Sequence, residues 1–203
     1  ILNCGQSCVG AKRFIVTEPV YDQFVDNFAK RMSATKVGDP LKIETDMGPM
    51  VDAKSRAEVH GQVEATVKAG GRVLIGGKPL EGPEGSSFYS PTILVDVKKG
   101  MVAYEEEIFG PVATVIKVKD EAEAIFVAND TSFGLGSAVF TQDVARGRRI
   151  ATEELEAGLS FVNDFVKSDP RLPFGGAKES GLGRECSNYG IKEFVNIKTV
   201  VVK

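Results

Sequence analysis

VATVIKVKDEAEAIFVAND (Val112–Asp130), continued by TSFGLGSAVFTQDVARGRRIATEELEAGLSFVN (Thr131–Asn163), alternates apolar runs with amphipathic ones. Read on its own, it gives a strand over Val112–Val118, a helix over Glu121–Ala128, a strand over Ser137–Thr141, a helix over Val144–Leu155 and a strand over Leu159–Asn163. The strands are apolar almost without interruption. A strand of that kind is covered on both faces, which points to a mostly parallel sheet between helical layers.

Working outward, the N-terminal side repeats the alternation. Lys12–Thr17 (KRFIVT) reads as a buried strand, and Val20, Phe24, Phe28 and Met32 recur at helical spacing behind Glu18-Pro19, a good helix start. Gly38-Asp39-Pro40 and Gly48-Pro49 bracket a turn-rich connection. A second helix carries Val59, Val63 and Val67 along one face and stops at Gly70-Gly71. Arg72–Ile75 is a short strand, Glu81–Ser87 (EGPEGSS) a surface loop, and Tyr89–Val97 a further strand. Beyond Asn163 the pattern gives way to the glycine-rich Pro173–Gly183, a short helix and a last apolar strand, Thr199–Lys203 (TVVVK). The expected fold is α/β, three-layer α/β/α with a mostly parallel open sheet.

The 203 residues are 42% hydrophobic and 26% charged, the balance of a globular domain with a sizeable core. A net charge of −3 offers nothing to nucleic acid or an anionic membrane, and no apolar run reaches the length of a membrane span. Three cysteines without an even framework of spacings argue against a disulfide-stapled secreted protein, so a cytoplasmic location is expected. The chain starts at Ile1, without methionine and already inside a motif, which reads as a piece of a longer protein.

That motif, Asn3-Cys4-Gly5-Gln6-Ser7-Cys8 (NCGQSC), places two thiols four residues apart. Zinc needs about four nitrogen or sulfur ligands in short clusters. The chain offers Cys4, Cys8, the remote Cys186 and one histidine, His60, which reads as a solvated surface residue. No metal is expected. Packing accounts for a buried cysteine but not for the small residues Val9, Gly10 and Ala11 behind Cys8. A thiol at such a turn can be reached by substrate, and backbone N–H groups at a helix start would favour its thiolate. Glu105-Glu106-Glu107-Ile108-Phe109-Gly110-Pro111 (EEEIFGP) has acids followed at once by apolar residues. For Glu105 a solvated acidic loop is sufficient explanation. PFGGAKESGLGRE (Pro173–Glu185) has neither the spacing of a dinucleotide-binding glycine loop nor the Gly-Lys-Ser/Thr of a Walker loop.

Taken in order, NxGQxC with a basic residue after it, EEIFGPV and PFGGxKxSGxGRE resemble the aldehyde dehydrogenase superfamily. GPMVD (Gly48–Asp52), SFYSPTIL (Ser87–Leu94), ANDTSFGLGSAVFT (Ala128–Thr141) and EAGLSFVN (Glu156–Asn163) agree with it, so the resemblance covers essentially the whole chain. It implies that Cys8 is the catalytic nucleophile. Its thiolate attacks the aldehyde carbon to give a thiohemiacetal, hydride passes to NAD⁺ or NADP⁺, and water hydrolyses the resulting thioester to the acid. The Cys8 backbone N–H and an upstream asparagine side chain hold the oxyanion. Glu107 is implied at the nicotinamide ribose hydroxyls, Phe109 beside the nicotinamide, and Phe174 in the substrate tunnel. Gly175, Gly176, Lys178 and Gly181 shape their loop.

The resemblance also implies a domain plan. Residues 1–197 form the catalytic, thiol-bearing domain, and 198–203 the terminal strand of an oligomerisation sheet in a dimer or tetramer. The cofactor-binding domain, general-base glutamate and oxyanion asparagine lie N-terminal to this chain, so the chain alone is expected to be inactive as a dehydrogenase. Where many members place a glutamine and a lysine near the cofactor ribose, this chain has Ser55 and Glu58, with Arg56 a loose substitute. Lys167–Leu172 (KSDPRL) and GQSCVGAKRF look most like the succinate-semialdehyde dehydrogenase branch, in which Ser168 would bind a substrate carboxylate. Leu2 stands where some members carry a carboxylate-binding arginine, and Gly10 where some carry a second cysteine. Two other readings are a catalytically silent relative of the same fold and a thiol-redox module on Cys4 and Cys8. The second lacks the CxxC spacing.

Overall fold

The computed structural model describes residues 1–82 and 86–203, so part of the loop expected over Glu81–Ser87 lies outside the described residues. The chain divides into two compact units, Ile1–Val127 and Ala128–Lys203, which subdivide the span read above as one domain.

In the first unit the order is β1 (Arg13–Thr17), α1 (Glu18–Ser33), α2 (Ala53–Lys68), β2 (Arg72–Ile75), β3 (Thr92–Val95), α3 (Val102–Glu105), β4 (Val112–Val118) and α4 (Glu121–Asn129), whose last two residues, Ala128 and Asn129, belong to the second unit. The sheet order is β1-β4-β3-β2. β4 pairs in parallel with β1 and β3, with Ile15 opposite Ile116 and Leu94 opposite Thr114, while β2 is an antiparallel edge on β3. The period-two alternation of side chains builds the layers. Ile93, Val95, Ala113 and Val115 face α1 through Phe24, Phe28 and Met32, with Phe14 and Phe28 ring centroids 4.9 Å apart. Leu94, Val112, Ile116 and Val118 face the other way, toward Val59 and Val63 of α2, Tyr104 of α3 and Val127 of α4. The unit is three-layered, α/β/α.

Several elements differ from expectation for local reasons. The strand expected over Tyr89–Val97 is confined to β3: Pro91 lacks an N–H for the ladder, and Asp96 turns the chain with φ 59°. Val67 is 42% exposed, and the buried stripe of α2 continues from Val59 and Val63 to Thr66. At 100° per residue Thr66 stays on that stripe while Val67 rotates off it. The Thr66 hydroxyl is satisfied there, donating to Gln62 O at 2.8 Å and accepting the Ala103 N–H at 3.0 Å.

The second unit holds β5 (Phe133–Gly134), β6 (Gly136–Val139), α5 (Val144–Arg149), β7 (Leu159–Val162), β8 (Ala177–Lys178) and α6 (Ser187–Gly190). β6 and β7 are parallel, joined through α5, and β5 pairs antiparallel with β8. The helix expected over Val144–Leu155 ends as α-helix at Arg149 and finishes as a π-turn over Ile150–Glu154, closed by Leu155 N–H to Ile150 O at 3.1 Å. The expected strand at Thr199–Lys203 is not formed: among the described residues it has no ladder partner, and Val200, Val201 and Val202 are exposed. A lone strand without a partner leaves its backbone groups to water. Among the described residues no helix is long and apolar enough to cross a membrane.

Candidate active site

The first unit brings the NCGQSC and EEEIFGP loops together. Asn3, Cys4 and Gly5 lie consecutively in the left-handed region, with φ of 50°, 58° and 71°. Asn and Gly adopt it readily, but for Cys4 it costs roughly 1–2 kcal/mol. The turn is held by Asn3 Nδ2 donating to Gln6 O at 2.9 Å and Gln6 Nε2 donating to Asn3 O at 3.2 Å. Gln6 Oε1 also accepts the Val51 N–H at 3.0 Å. A Cβ on Gly5 would stand 2.0 Å from Gly110 O, so only glycine allows the thiol loop to seat on the Phe109-Gly110-Pro111 segment.

The two thiols are placed oppositely. Cys4 is 4% exposed, and burial pushes its thiol up to about 11. Cys8 is exposed, in a turn closed by the Gly10 N–H to Ser7 O at 3.0 Å. The turn leads directly into β1, so Cys8 does not stand at a helix start. Lys12 closes the loop, its ammonium donating to Gly5 O at 2.6 Å and Ser7 O at 3.0 Å. The same Nζ is 4.0 Å from Glu107 Oε1 and 4.9 Å from the centroid of the Phe109 ring.

Glu107 and Phe109 line a cleft of about 1000 Å³ together with Asn3, Gln6, Glu58 and Gln62. Cys8 is not among its lining residues. Gln62 Nε2 donates to Glu106 Oε2 at 3.0 Å and to Glu107 O at 3.3 Å, tying the acidic segment to α2. The chemistry of this cleft fits a sugar. Carboxylates accept hydroxyl hydrogen bonds, and the 43% exposed Phe109 ring offers a flat apolar face. Glu58, Glu106 and Glu107 would repel a phosphate, so the cleft's chemistry suits hydroxyl-bearing groups and not phosphates. Ser55 lines the same cleft, whereas Arg56 donates to Ser86 O at 2.8 Å and is not a lining residue.

His60 is not a simple surface histidine. Its Nδ1 lies 3.1 Å from the hydroxyl of the fully buried Tyr89 and its Nε2 3.5 Å from Glu64. Burial, reinforced by Glu64, raises the Tyr89 hydroxyl pKa, so the phenol stays protonated. Glu105 is exposed but bonded, accepting the Gly100 N–H at 2.7 Å. Gln62 and the side chain of Lys12 were not legible as site residues. The only signal for Lys12 is a basic residue at the loop-to-strand junction.

Phe174 and Ser168 belong to the second unit. Phe174 is half-buried and bridged through both backbone groups to Glu185, at 2.9 and 2.7 Å. Ser168 is exposed, between the Lys167–Asp164 pair at 2.5 Å and the Asp169–Arg171 pair at 2.6 Å. Hydrogen bonds from Arg171 hold the Asp169 carboxyl well below the usual range. Lys178 donates to Asn129 O at 2.8 Å and Thr131 O at 3.2 Å and pairs with Glu156 at 2.8 Å, partners that fix its loop.

The aldehyde dehydrogenase family profile matches residues 1–200. The chain belongs to the aldehyde dehydrogenase family. It is 50% identical over 202 residues to succinate-semialdehyde dehydrogenase [NADP(+)] 1 of Mycobacterium ulcerans, covering 100% of this chain and 43% of that protein. The structure of succinic semialdehyde dehydrogenase from Streptococcus pyogenes, in complex with NADP⁺, superposes with a TM-score of 0.93 at 39% identity, over 98% of this chain and 43% of that one. Betaine aldehyde dehydrogenase from Staphylococcus aureus with NAD⁺ gives 0.90 at 32% identity, over 95% of this chain and 38% of that one. The chain thus spans less than half the length of the relatives it matches.

Proposed function

We propose that this chain is the catalytic part of an NAD(P)-dependent aldehyde dehydrogenase that oxidises succinate semialdehyde to the dicarboxylic acid. The observation that carries the reading is the exposed Cys8 on a loop seated against the Phe109-Gly110-Pro111 segment and tied to Glu107 through Lys12. Cys8 forms a C–S bond to the aldehyde carbon, and the carbonyl oxygen takes up the negative charge. NAD(P)⁺, when bound, supplies the hydride acceptor. Water then cleaves the C–S bond of the acylated Cys8, releasing the acid and restoring the thiol. Glu107 would accept from the ribose hydroxyls of the cofactor, and Phe109 would offer its ring an apolar face.

The family resemblance assigns Phe174 to the substrate tunnel and Ser168 to a substrate carboxylate. The choice of succinate semialdehyde, with NAD⁺ or NADP⁺ as the acceptor, follows the succinate-semialdehyde dehydrogenase relatives, and a cytoplasmic location the three cysteines without an even framework of spacings. The apolar residues 198–203 complete a sheet in a homo-oligomer. The buried, high-pKa Cys4 disfavours a two-thiol redox module.

Acyl transfer tests the reading without the cofactor. Brief exposure to p-nitrophenyl acetate followed by peptide mass spectrometry should place the acetyl group on Cys8. Acetylation at Cys4 or Cys186 instead, or none at any thiol, would remove the proposal.

A further inference from the structure

Lys12 stands where the thiol loop ends and β1 begins. Its backbone is fixed, since its carbonyl accepts the Thr114 N–H of β4 at 3.0 Å. Its side chain turns back over the loop. Two of the three ammonium donors go to Gly5 O at 2.6 Å and Ser7 O at 3.0 Å, the second of these the carbonyl bonded to the Cys8 nitrogen. The remaining direction meets the other loop, with Glu107 Oε1 at 4.0 Å and the Phe109 ring at 4.9 Å. The side chain is only 16% exposed, so solvent screens these contacts weakly. Burial pulls the ammonium's pKa down, while Glu107 and then Cys8 act in the opposite sense and favour the charge.

We propose that Lys12 is a positioning residue that couples the two halves of the site, holding the thiol loop and the Glu107 carboxylate in one arrangement and setting a positive field at the Cys8 sulfur. The proposal rests on Cys8 being the nucleophile. It predicts that thiol chemistry and the carboxylate cleft respond together to one cation. A methionine at this position keeps the length and the packing of the stem but loses the charge and both carbonyl bonds. Arginine keeps the charge.

The test is alkylation of Cys8 in the full chain at low ionic strength, with neutral iodoacetamide and anionic iodoacetate run in parallel and read by peptide mass spectrometry. Both reagents consume the same thiolate, so the ratio of their rates reports the field at sulfur and cancels changes in ionisation. A purely structural role would leave the ratio unmoved. Lys12→Met should lower the iodoacetate-to-iodoacetamide ratio about three-fold, an effect that fades in high salt. Lys12→Arg should keep the ratio, and Glu107→Gln should raise it. An unchanged ratio in Lys12→Met with Cys4 still protected overturns the Lys12 assignment alone. If Lys12→Met exposes Cys4, the loop has come apart and Glu107→Gln decides: a raised ratio supports the coupling and an unchanged one overturns it. Labelling of Cys4 or Cys186 ahead of Cys8 in the unsubstituted chain overturns the nucleophile reading, and the Lys12 assignment falls with it.

Discussion

The thiol loop, residues 2–12, and the glycine-rich loop, residues 173–185, both carry family motifs, and both are rich in glycine and poor in regular structure. Their polar groups are used differently. In the glycine-rich loop, Lys178 is taken up by Asn129, Thr131 and Glu156, Phe174 is bridged to Glu185, and Arg184 donates to Gly176 O and Gly183 O. Those groups hold their own unit together. In the thiol loop the internal bonds fix the backbone but leave Cys8 exposed, and Glu107 and Phe109, which Lys12 reaches, line a cleft. A motif signals chemistry where the fold leaves reactive groups unengaged, and signals architecture where it engages them.

The comparison is broken most decisively by Cys8→Ala. Acyl transfer from p-nitrophenyl acetate should disappear, measured as p-nitrophenol release, whereas Lys178→Met should leave it in place. Next in size is Gly5→Ala, whose Cβ would meet Gly110 O at 2.0 Å in a left-handed backbone. A loss of about 3 kcal/mol in urea unfolding is expected, with Cys4 becoming alkylated as the loop lifts.

Cys4 sharpens the contrast through pH. Folding raises its thiol from 9.0 to about 11, so between those values the unfolded thiol ionises while the native one keeps its proton. The native state binds more protons there, and its stability falls as pH rises. The loss is about 2–3 kcal/mol across the window, complete only above the folded pKa and absent below pH 9. Urea midpoints at pH 8, 9, 10 and 11 would display it, and Cys4→Ala should remove that component. The smallest effect is at Lys178→Met, which leaves the Asn129 and Thr131 carbonyls and Glu156 without their cation. A cost of about 1 kcal/mol by urea unfolding is expected, since the group is partly exposed.

How much of this was legible in the sequence differs by level. β4 begins and ends where the apolar run does, because a strand covered on both faces records its burial residue by residue. The layer on each side followed from the same alternation. What the sequence hid were choices made by tertiary partners. His60 reads as polar surface until Tyr89 places a buried hydroxyl against it. Val67 reads as core until the stripe of α2 passes through Thr66, whose hydroxyl finds Gln62 and Ala103. Within the site, Cys8, Glu107 and Phe109 were readable as motif residues. Lys12 and Gln62 were not, because their importance comes from which carbonyls and carboxylates they reach, and no local pattern encodes that.

The central claim is that the two neighbouring cysteines are chemically unequal and that Cys8 is the reactive one. It is tested most directly by treating the folded chain with limiting iodoacetamide near neutral pH and quantifying carbamidomethylation at each cysteine by peptide mass spectrometry. The account predicts labelling at exposed Cys8 first, with Cys4 protected until denaturant is added. Labelling of Cys4 or Cys186 ahead of Cys8 would contradict it.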